Sequence, residues 1–323
     1  MAIEDTSGPI GEHFEWTWKV IDKLDEDLRR EIRRLVEEVS RTHGISPLSD
    51  DGLAALEDSP PGSRHGLVIG PEGKLAGYLQ VRPDPLTCEA VASRSAADSP
   101  AALALLSELG RLAGRPVPMW VRGEHDPAST LTRTAGGRQV RELLQLRAAL
   151  AGLGLDESGP FSPATQAPPA GLRPRTFVPG ADDDAWLAAN RTAFGALPGQ
   201  AGWTRSDLVH RLTAPWFRAD GFFLLVDENN RIAGFHWTKI HPPGGGGATA
   251  DESLGEVYIL GVIPSYRGRG LAEYLIWTGL DYLRREGIRT VLLYVDADNI
   301  AARRLYDRFG FQVHSTDYQY LVG

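Results

Sequence analysis

Cysteine is almost missing from this chain: Cys88 is the only one in 323 residues. A single thiol excludes an intrachain disulfide framework and any cysteine-rich zinc module, and it suits a reducing compartment. Long apolar runs are missing too, none approaching the roughly 20 residues of a membrane-spanning helix. The opening Met1-Ala-Ile-Glu-Asp-Thr lacks the basic start and apolar stretch of an export signal. The 8 histidines contain no His-Glu-x-x-His pattern, and His236 and His241 are spaced too loosely to suggest a shared ion, so no metal is expected. Positive charge is in deficit, 34 Lys+Arg against 42 Asp+Glu for a net −8, which argues against nucleic-acid binding over the whole surface. A local basic pocket for an anion stays open. What remains is a soluble globular composition, 42% hydrophobic and 24% charged, long enough for two domains of about 150 residues. A cytoplasmic monomer without nucleic-acid or membrane partners is expected.

The boundary falls in 151–171, where four glycines and four prolines occur without apolar period. Across it runs a faint repeat. Lys74-Leu-Ala-Gly77-Tyr78 resembles Arg231-Ile-Ala-Gly234-Phe235, and Gly137-Arg-Gln-Val140 resembles Gly310-Phe-Gln-Val313, in the same order at similar offsets. The expected organisation is therefore a first domain over 1–150, a linker over 151–171 and a second domain over 172–323. In the second half, apolar spacing predicts a strand at 172–178, helices at 182–194 and 205–212, and a hairpin of 222–226 with 232–240. A strand at 254–262, a helix at 271–286, a strand at 291–295, a helix at 299–309 and two terminal strands follow. The first half gives the same order more weakly, with a helix at 25–41 whose Leu28, Ile32, Leu35, Val36 and Val39 form an inward stripe, and a hairpin at 67–81. The fold class expected is α/β of the α+β kind: two tandem domains, each a mixed, mostly antiparallel sheet flanked by helices.

Between the strand ending at Val262 and the helix starting near Leu271 lies Arg267-Gly268-Arg269-Gly270-Leu271-Ala272. A glycine-rich turn from strand into helix leaves unpaired N–H groups at the positive end of a helix dipole, and two arginines add charge in an otherwise acidic chain. That is an anion site. Arg267-x-x-Gly270-x-Ala272, followed by Asn299-x-x-Ala302-x-x-x-Tyr306 and Gly310-Phe311, resembles the signature of the GNAT acyltransferases. The resemblance implies that acetyl-CoA is the acetyl donor. It also implies that Leu260, Gly261 and Val262 present backbone groups to the pantetheine arm, and that Arg267, Gly268, Arg269, Gly270, Leu271, Ala272 and Glu273 hold the pyrophosphate. Asn299, Ala302, Arg303 and Arg304 would line the cofactor side of the next helix, and Tyr306 would be the general acid.

His236-Trp237-Thr238-Lys239-Ile240-His241-Pro242, Leu254-Gly255-Glu256-Val257-Tyr258 and Leu292-Leu293-Tyr294-Val295 narrow the resemblance to tandem-domain members of that family. These acetylate the cysteinyl amine of a cysteinyl-glucosaminyl-inositol. An α-amino group of pKa about 7.7 to 8.0 needs only a modest base. Glu256 is the candidate, a charge set among apolar residues of a strand. Trp203, Trp237 and Tyr294 supply flat faces for a sugar and Lys239 a hydroxyl donor. The resemblance implies that Lys239, Glu256 and Tyr294 contact the acceptor and that Asp50 reaches it from the first domain, although Asp50 reads equally well as a helix N-cap. Where the family tends to carry an acidic residue before Gln-Gly-Gly-Trp, this chain has Gly199-Gln-Ala-Gly-Trp203, so one expected ligand is missing.

Gly244 to Gly247 has no helix behind it and reads as a hairpin excursion rather than a second phosphate loop. The first half shows no glycine between Gly77 and Gly110, so it is expected to keep the scaffold without binding CoA. Two other functions stay open: N-acetylation of another amine, such as an aminoglycoside or a peptide N-terminus, and acyl-CoA binding without turnover.

Overall fold

A computed structural model describes residues 15–43, 46–83, 86–123, 126–153, 167–195, 200–243 and 252–323. The chain forms two compact units. The first comprises 1–144, 296–298 and 315–323, and the second 145–295 and 299–314. The units thus differ from a simple division at the linker, because the last nine residues belong to the first.

The first unit contains strands β1 (Thr17–Ile21), β2 (Arg64–Ile69), β3 (Leu75–Pro83), β4 (Leu86–Ala92) and β5 (Val117–Arg122), with helices α1 (Glu26–His43), α2 (Asp50–Glu57), α3 (Arg94–Ala97), α4 (Pro100–Ala113) and α5 (Pro127–Thr134). Strand β6 (Arg138–Ala149) begins in it. Neighbouring strands from β1 to β4 are antiparallel, β4 and β5 are parallel, and Asp317–Val322 of the C-terminal strand pairs antiparallel with β5. Alternation decides the faces. Tyr78 and Val91 meet the α1 stripe of Ile32, Leu35, Val36 and Val39, while Leu79, Cys88, Ala90 and Met119 pack with Leu105 and Leu109 of α4. The α1 stripe is the one its sequence spacing predicts. Cys88 is fully buried, and burial pushes its thiol up to about 12, so it is inert as a nucleophile.

The second unit repeats the order: β7 (Arg173–Thr176), α6 (Asp183–Phe194), α7 (Arg205–Leu212), β8 (Phe222–Val226), β9 (Ile232–His241), β10 (Leu254–Val262), α8 (Leu271–Arg285), β11 (Thr290–Asp296) and α9 (Ile300–Arg308). Strands β7 to β10 are antiparallel neighbours, and β10 and β11 are parallel. On one face Trp186, Leu187 and Leu208 of α6 and α7 pack with Phe222, Leu224, Phe235, Trp237 and Ile259. Helix α8 covers the other face, where a Cβ on Gly234 or Gly255 would crowd Leu275 or Leu283. The sequence suggests two terminal strands. The structure has one, β12 (Gln312–Val322), whose eleven residues include neither Gly nor Pro to break the ladder.

Among the described residues, two buried histidines have only uncharged hydrogen-bond partners. His236 sits against α8 with Nδ1 2.6 Å from the Leu275 carbonyl, and His65 lies between Tyr78 Oη at 2.7 Å and Ser59 Oγ at 3.0 Å. Desolvation pushes both down to about 4, so the folded protein keeps them neutral. Their stabilisation is complete above the unfolded value near 6.5 and is lost as pH falls toward 4, by up to about 1.4 kcal/mol per pH unit for each. Buried Asp126, pushed up to about 6, acts in the opposite sense. Comparison with His236→Gln cancels that contribution. Between pH 6 and 5 the wild type should lose about 1 kcal/mol more than this variant in denaturant unfolding. Equal pH slopes would show that His236 protonates freely in the fold.

Candidate active site

Within the second unit the strands part beside β10. Its register with β11 lasts three residues, Leu254, Gly255 and Glu256 against Thr290, Val291 and Leu292, although β10 continues to Val262. Between Val257 and Ile259 the register with β9 shifts, a bulge that adds Tyr258 and turns the strand. Beyond Glu256 the β11 side of β10 therefore has no strand partner among the described residues. Leu260, Gly261 and Val262 lie on this diverging stretch. Gly261 also has a packing role, because a Cβ there would run into the Phe235 ring.

After β10 a short 3-10 turn (Pro264–Tyr266) leads to Arg267 and then into α8. Gly268 and Gly270 have φ of +76° and +77°, the left-handed region glycine adopts without strain, and nothing lies within 4 Å of where a Cβ would stand. Gly270 caps α8 and offers no side-chain acceptor, so the first-turn N–H groups of Leu271, Ala272 and Glu273 face an open cradle. The two arginines of the turn reach backbone carbonyls. Arg267 donates to the Ala193 carbonyl at 3.1 Å, and Arg269 to the Ala170 carbonyl at 2.9 Å while lying over the Tyr266 ring. Glu273 pairs with Arg308 of α9 at 3.1 Å. Asn299 is the N-cap of α9, its Oδ1 accepting from the Ala302 N–H at 3.1 Å; Arg303 is half-buried and Arg304 exposed on that helix. Tyr306, one α9 turn further, is buried against Phe311, and desolvation raises its phenol far above the ordinary range.

On the α6–α7 face of the sheet, Lys239 and Glu256 are register partners, and both are buried. Glu256 is thus no surface-facing strand residue. Its Oε2 lies 2.7 Å from Nε2 of His241, also buried. Lys239 Nζ stands 4.8 Å over the Trp216 ring and 5.6 Å over Tyr258. Arg211 stacks 4.0 Å over Trp203 and donates to Tyr258 Oη at 2.9 Å. Tyr294 is 37% exposed, and its Oη accepts from Gln145 Nε2 at 2.7 Å.

The aromatic assignments need correction. Trp237, expected to offer a face to a sugar, is fully buried, stacked 4.4 Å from Phe222 and met edge-on by Trp186, Phe217 and Tyr258. It belongs to the core because this side of β9 sits under α6. Trp203 has one face covered by Arg211, so only its remaining surface could meet a ligand. The N-cap of α2 is Ser49, whose Oγ accepts from the Gly52 N–H at 2.9 Å, and not Asp50. Asp50 is the first residue of α2, with its side chain outside the described residues, as are Gly199 and Gly244–Gly247. Arg211, Trp216 and Gln145 carry no motif, and their contacts with Tyr258, Lys239 and Tyr294 appear only in the structure. His241 had a signal: two positions after Lys239 on a strand, it must share that face.

The first unit has put the comparable features to structural use. Its β4 and β5 also separate after a short register, ending at Glu89 opposite Trp120. That carboxylate is consumed: it accepts from the Ser49 N–H at 2.9 Å, Ser49 Oγ at 3.0 Å, Arg82 at 2.9 Å and Arg122 at 3.4 Å. The following helix starts are closed by serine, with Ser93 Oγ accepting from Ala96 and Ser99 Oγ from Ala102, each at 3.2 Å. Among the described residues no group of three or more His, Cys, Asp or Glu gathers as metal ligands would, and no helix is long and apolar enough to cross a membrane.

A bulged strand that leaves its parallel neighbour, followed by an uncapped glycine turn at a helix start, defines the class as a GNAT acyltransferase. Residues 186–311 match the acetyltransferase (GNAT) family. The fold is shared with a tandem GNAT protein from the clavulanic acid biosynthesis pathway, at a TM-score of 0.68 and 17% identity over 95% of this chain and 98% of that one. A GCN5-related N-acetyltransferase from Sphaerobacter thermophilus is similar at a TM-score of 0.65 and 24% identity, over 94% and 95%. Over 303 residues the chain is 39% identical to the mycothiol acetyltransferase of Geodermatophilus obscurus, covering 92% of this chain and 95% of the relative. It is 40% identical to that of Streptomyces coelicolor over 88% and 89%. The chain belongs to the mycothiol acetyltransferase family.

Proposed function

We propose that this chain transfers the acetyl group of acetyl-CoA to the cysteinyl amine of cysteinyl-glucosaminyl-inositol, forming mycothiol and free CoA. The observation that carries the reading is the placement of Glu256 where β10 parts from β11, one strand-length before the open cradle at Gly268–Gly270. The pyrophosphate lies against the N–H groups of Leu271–Glu273 between Arg267 and Arg269, and the thioester end runs along the diverging stretch of β10. A backbone N–H of Leu260–Val262 holds the carbonyl oxygen as charge develops. The amine nitrogen bonds to the acetyl carbon while its proton passes to Glu256, directly or through a water. The C–S bond then breaks and the thiolate takes a proton from Tyr306. The phenol is protonated at working pH as any tyrosine is; burial raises it further and lends it no added acidity, so the developing thiolate must supply the driving force. Lys239 and Tyr294 contact the acceptor's hydroxyl groups. Acyl transfer by these groups calls for no metal.

Tyr306→Phe should slow turnover by about 10-fold or more while leaving acetyl-CoA affinity nearly intact. Collapse of affinity without loss of rate would make Tyr306 a packing group instead. The acceptor is tested by comparing kcat/KM for the cysteinyl pseudo-disaccharide, an aminoglycoside and a peptide N-terminus. The pseudo-disaccharide should lead by orders of magnitude. A faster reaction with either rival would keep the acyltransferase and remove the acceptor.

A further inference from the structure

Glu256 is hydrogen-bonded to one partner among the described residues, and that partner is His241. Both side chains are buried, on adjacent strands and on one face, with 2.7 Å between Oε2 and Nε2. A carboxylate only accepts, so a contact this short to an ionised Glu256 requires hydrogen on Nε2. With Glu256 as the base, Nε2 is therefore the donor of this contact. The contact also fixes the carboxylate. With Oε2 tied to His241, Oε1 is the oxygen left to meet the amine. Among the described residues, other ionisable groups on this face include Lys239 of β9, Tyr258 of β10, Tyr294 of β11 and Arg211 of α7. None is hydrogen-bonded to the Glu256 carboxylate, so none duplicates the role.

We propose that His241 is the positioning residue of Glu256: its Nε2–H holds Oε2 and aims Oε1 at the acceptor amine. The inference rests on Glu256 being the base. During transfer the amine proton goes to Oε1 as the N–C bond forms, while the hydrogen on Nε2 stays where it is; Glu256 returns its proton to water afterwards. A packing role alone predicts no rescue of kcat by a side chain that restores the N–H donor.

The experiment measures kcat and KM for His241→Ala, His241→Gln and Glu256→Gln, with acetyl-CoA and the cysteinyl pseudo-disaccharide. His241→Ala should lower kcat by about 10-fold or more with KM for acetyl-CoA within about 2-fold. Gln keeps an N–H donor near the Nε2 position and should restore kcat to within about 3-fold of wild type. A wild-type kcat in His241→Ala, with Glu256→Gln slow, overturns the inference and leaves the base in place. Wild-type turnover in Glu256→Gln overturns the reading beneath it. Should His241→Ala fail to fold, His241→Leu fills the space without a donor: equal kcat in the Leu and Gln variants, or a rate loss that tracks a lowered Tm, makes His241 structural.

Discussion

Glu256→Gln should fold, bind acetyl-CoA with little change, and lose at least about 100-fold in kcat at neutral pH, the scale of a lost general base. The amide is nearly isosteric, and its oxygen can still accept from His241 Nε2, so the buried contact at 2.7 Å survives. What disappears is the capacity to take a proton. The loss should shrink as pH rises past the amine's own pKa of about 8, because a free amine then reaches the site without help. A mutant slowed equally at every pH would point to lost positioning. Unchanged turnover would remove Glu256 from the chemistry.

Gly270→Val should weaken acetyl-CoA binding by at least about 100-fold, or about 2.7 kcal/mol. Two effects act together. Valine resists a φ of +77°, and its side chain would stand in the open space that the phosphate needs. Since nothing lies within 4 Å of the added Cβ, no clash unfolds the protein, and the cost to stability is confined to backbone strain of about 1 to 2 kcal/mol. Gly287 is the control. It follows α8 with φ +79° and open space around it, so Gly287→Val carries the same strain away from the cradle. Calorimetric titration of both variants should show binding lost only at 270. Equal losses would mean that strain, not occupation of the cradle, is being measured.

Elements with strong local signals were legible in the sequence. The α1 stripe, the 222–226 and 232–240 hairpin and the glycine turn into α8 follow from apolar period and turn chemistry, and the structure carries them within a residue or two. The burial of Glu256 was legible for a related reason, as one charge in a strand of apolar neighbours. Trp237 was not, because a tryptophan's type does not reveal which side of the strand α6 will cover. The division of the chain was also hidden. Ser315–Gly323 belongs to the first unit, through a register in which Asp317–Val322 pairs with β5 almost 200 residues earlier, and no local pattern encodes a partner at that range. Cross-strand partnerships such as His241 with Glu256 and Gln145 with Tyr294 depend on the same long-range register.

The central claim is N-acetylation of a cysteinyl amine at the expense of acetyl-CoA. It is tested most directly by following loss of the thioester absorbance with purified protein and two acceptors: cysteinyl-glucosaminyl-inositol, and glucosaminyl-inositol without the cysteinyl group. Mass spectrometry of the products locates the acetyl group. Rapid thioester consumption with the first acceptor, one acetyl per molecule on nitrogen, and no turnover with the second is the predicted result. Acetylation of the sugar amine at a comparable rate, or acetyl found only on sulfur, would contradict the account.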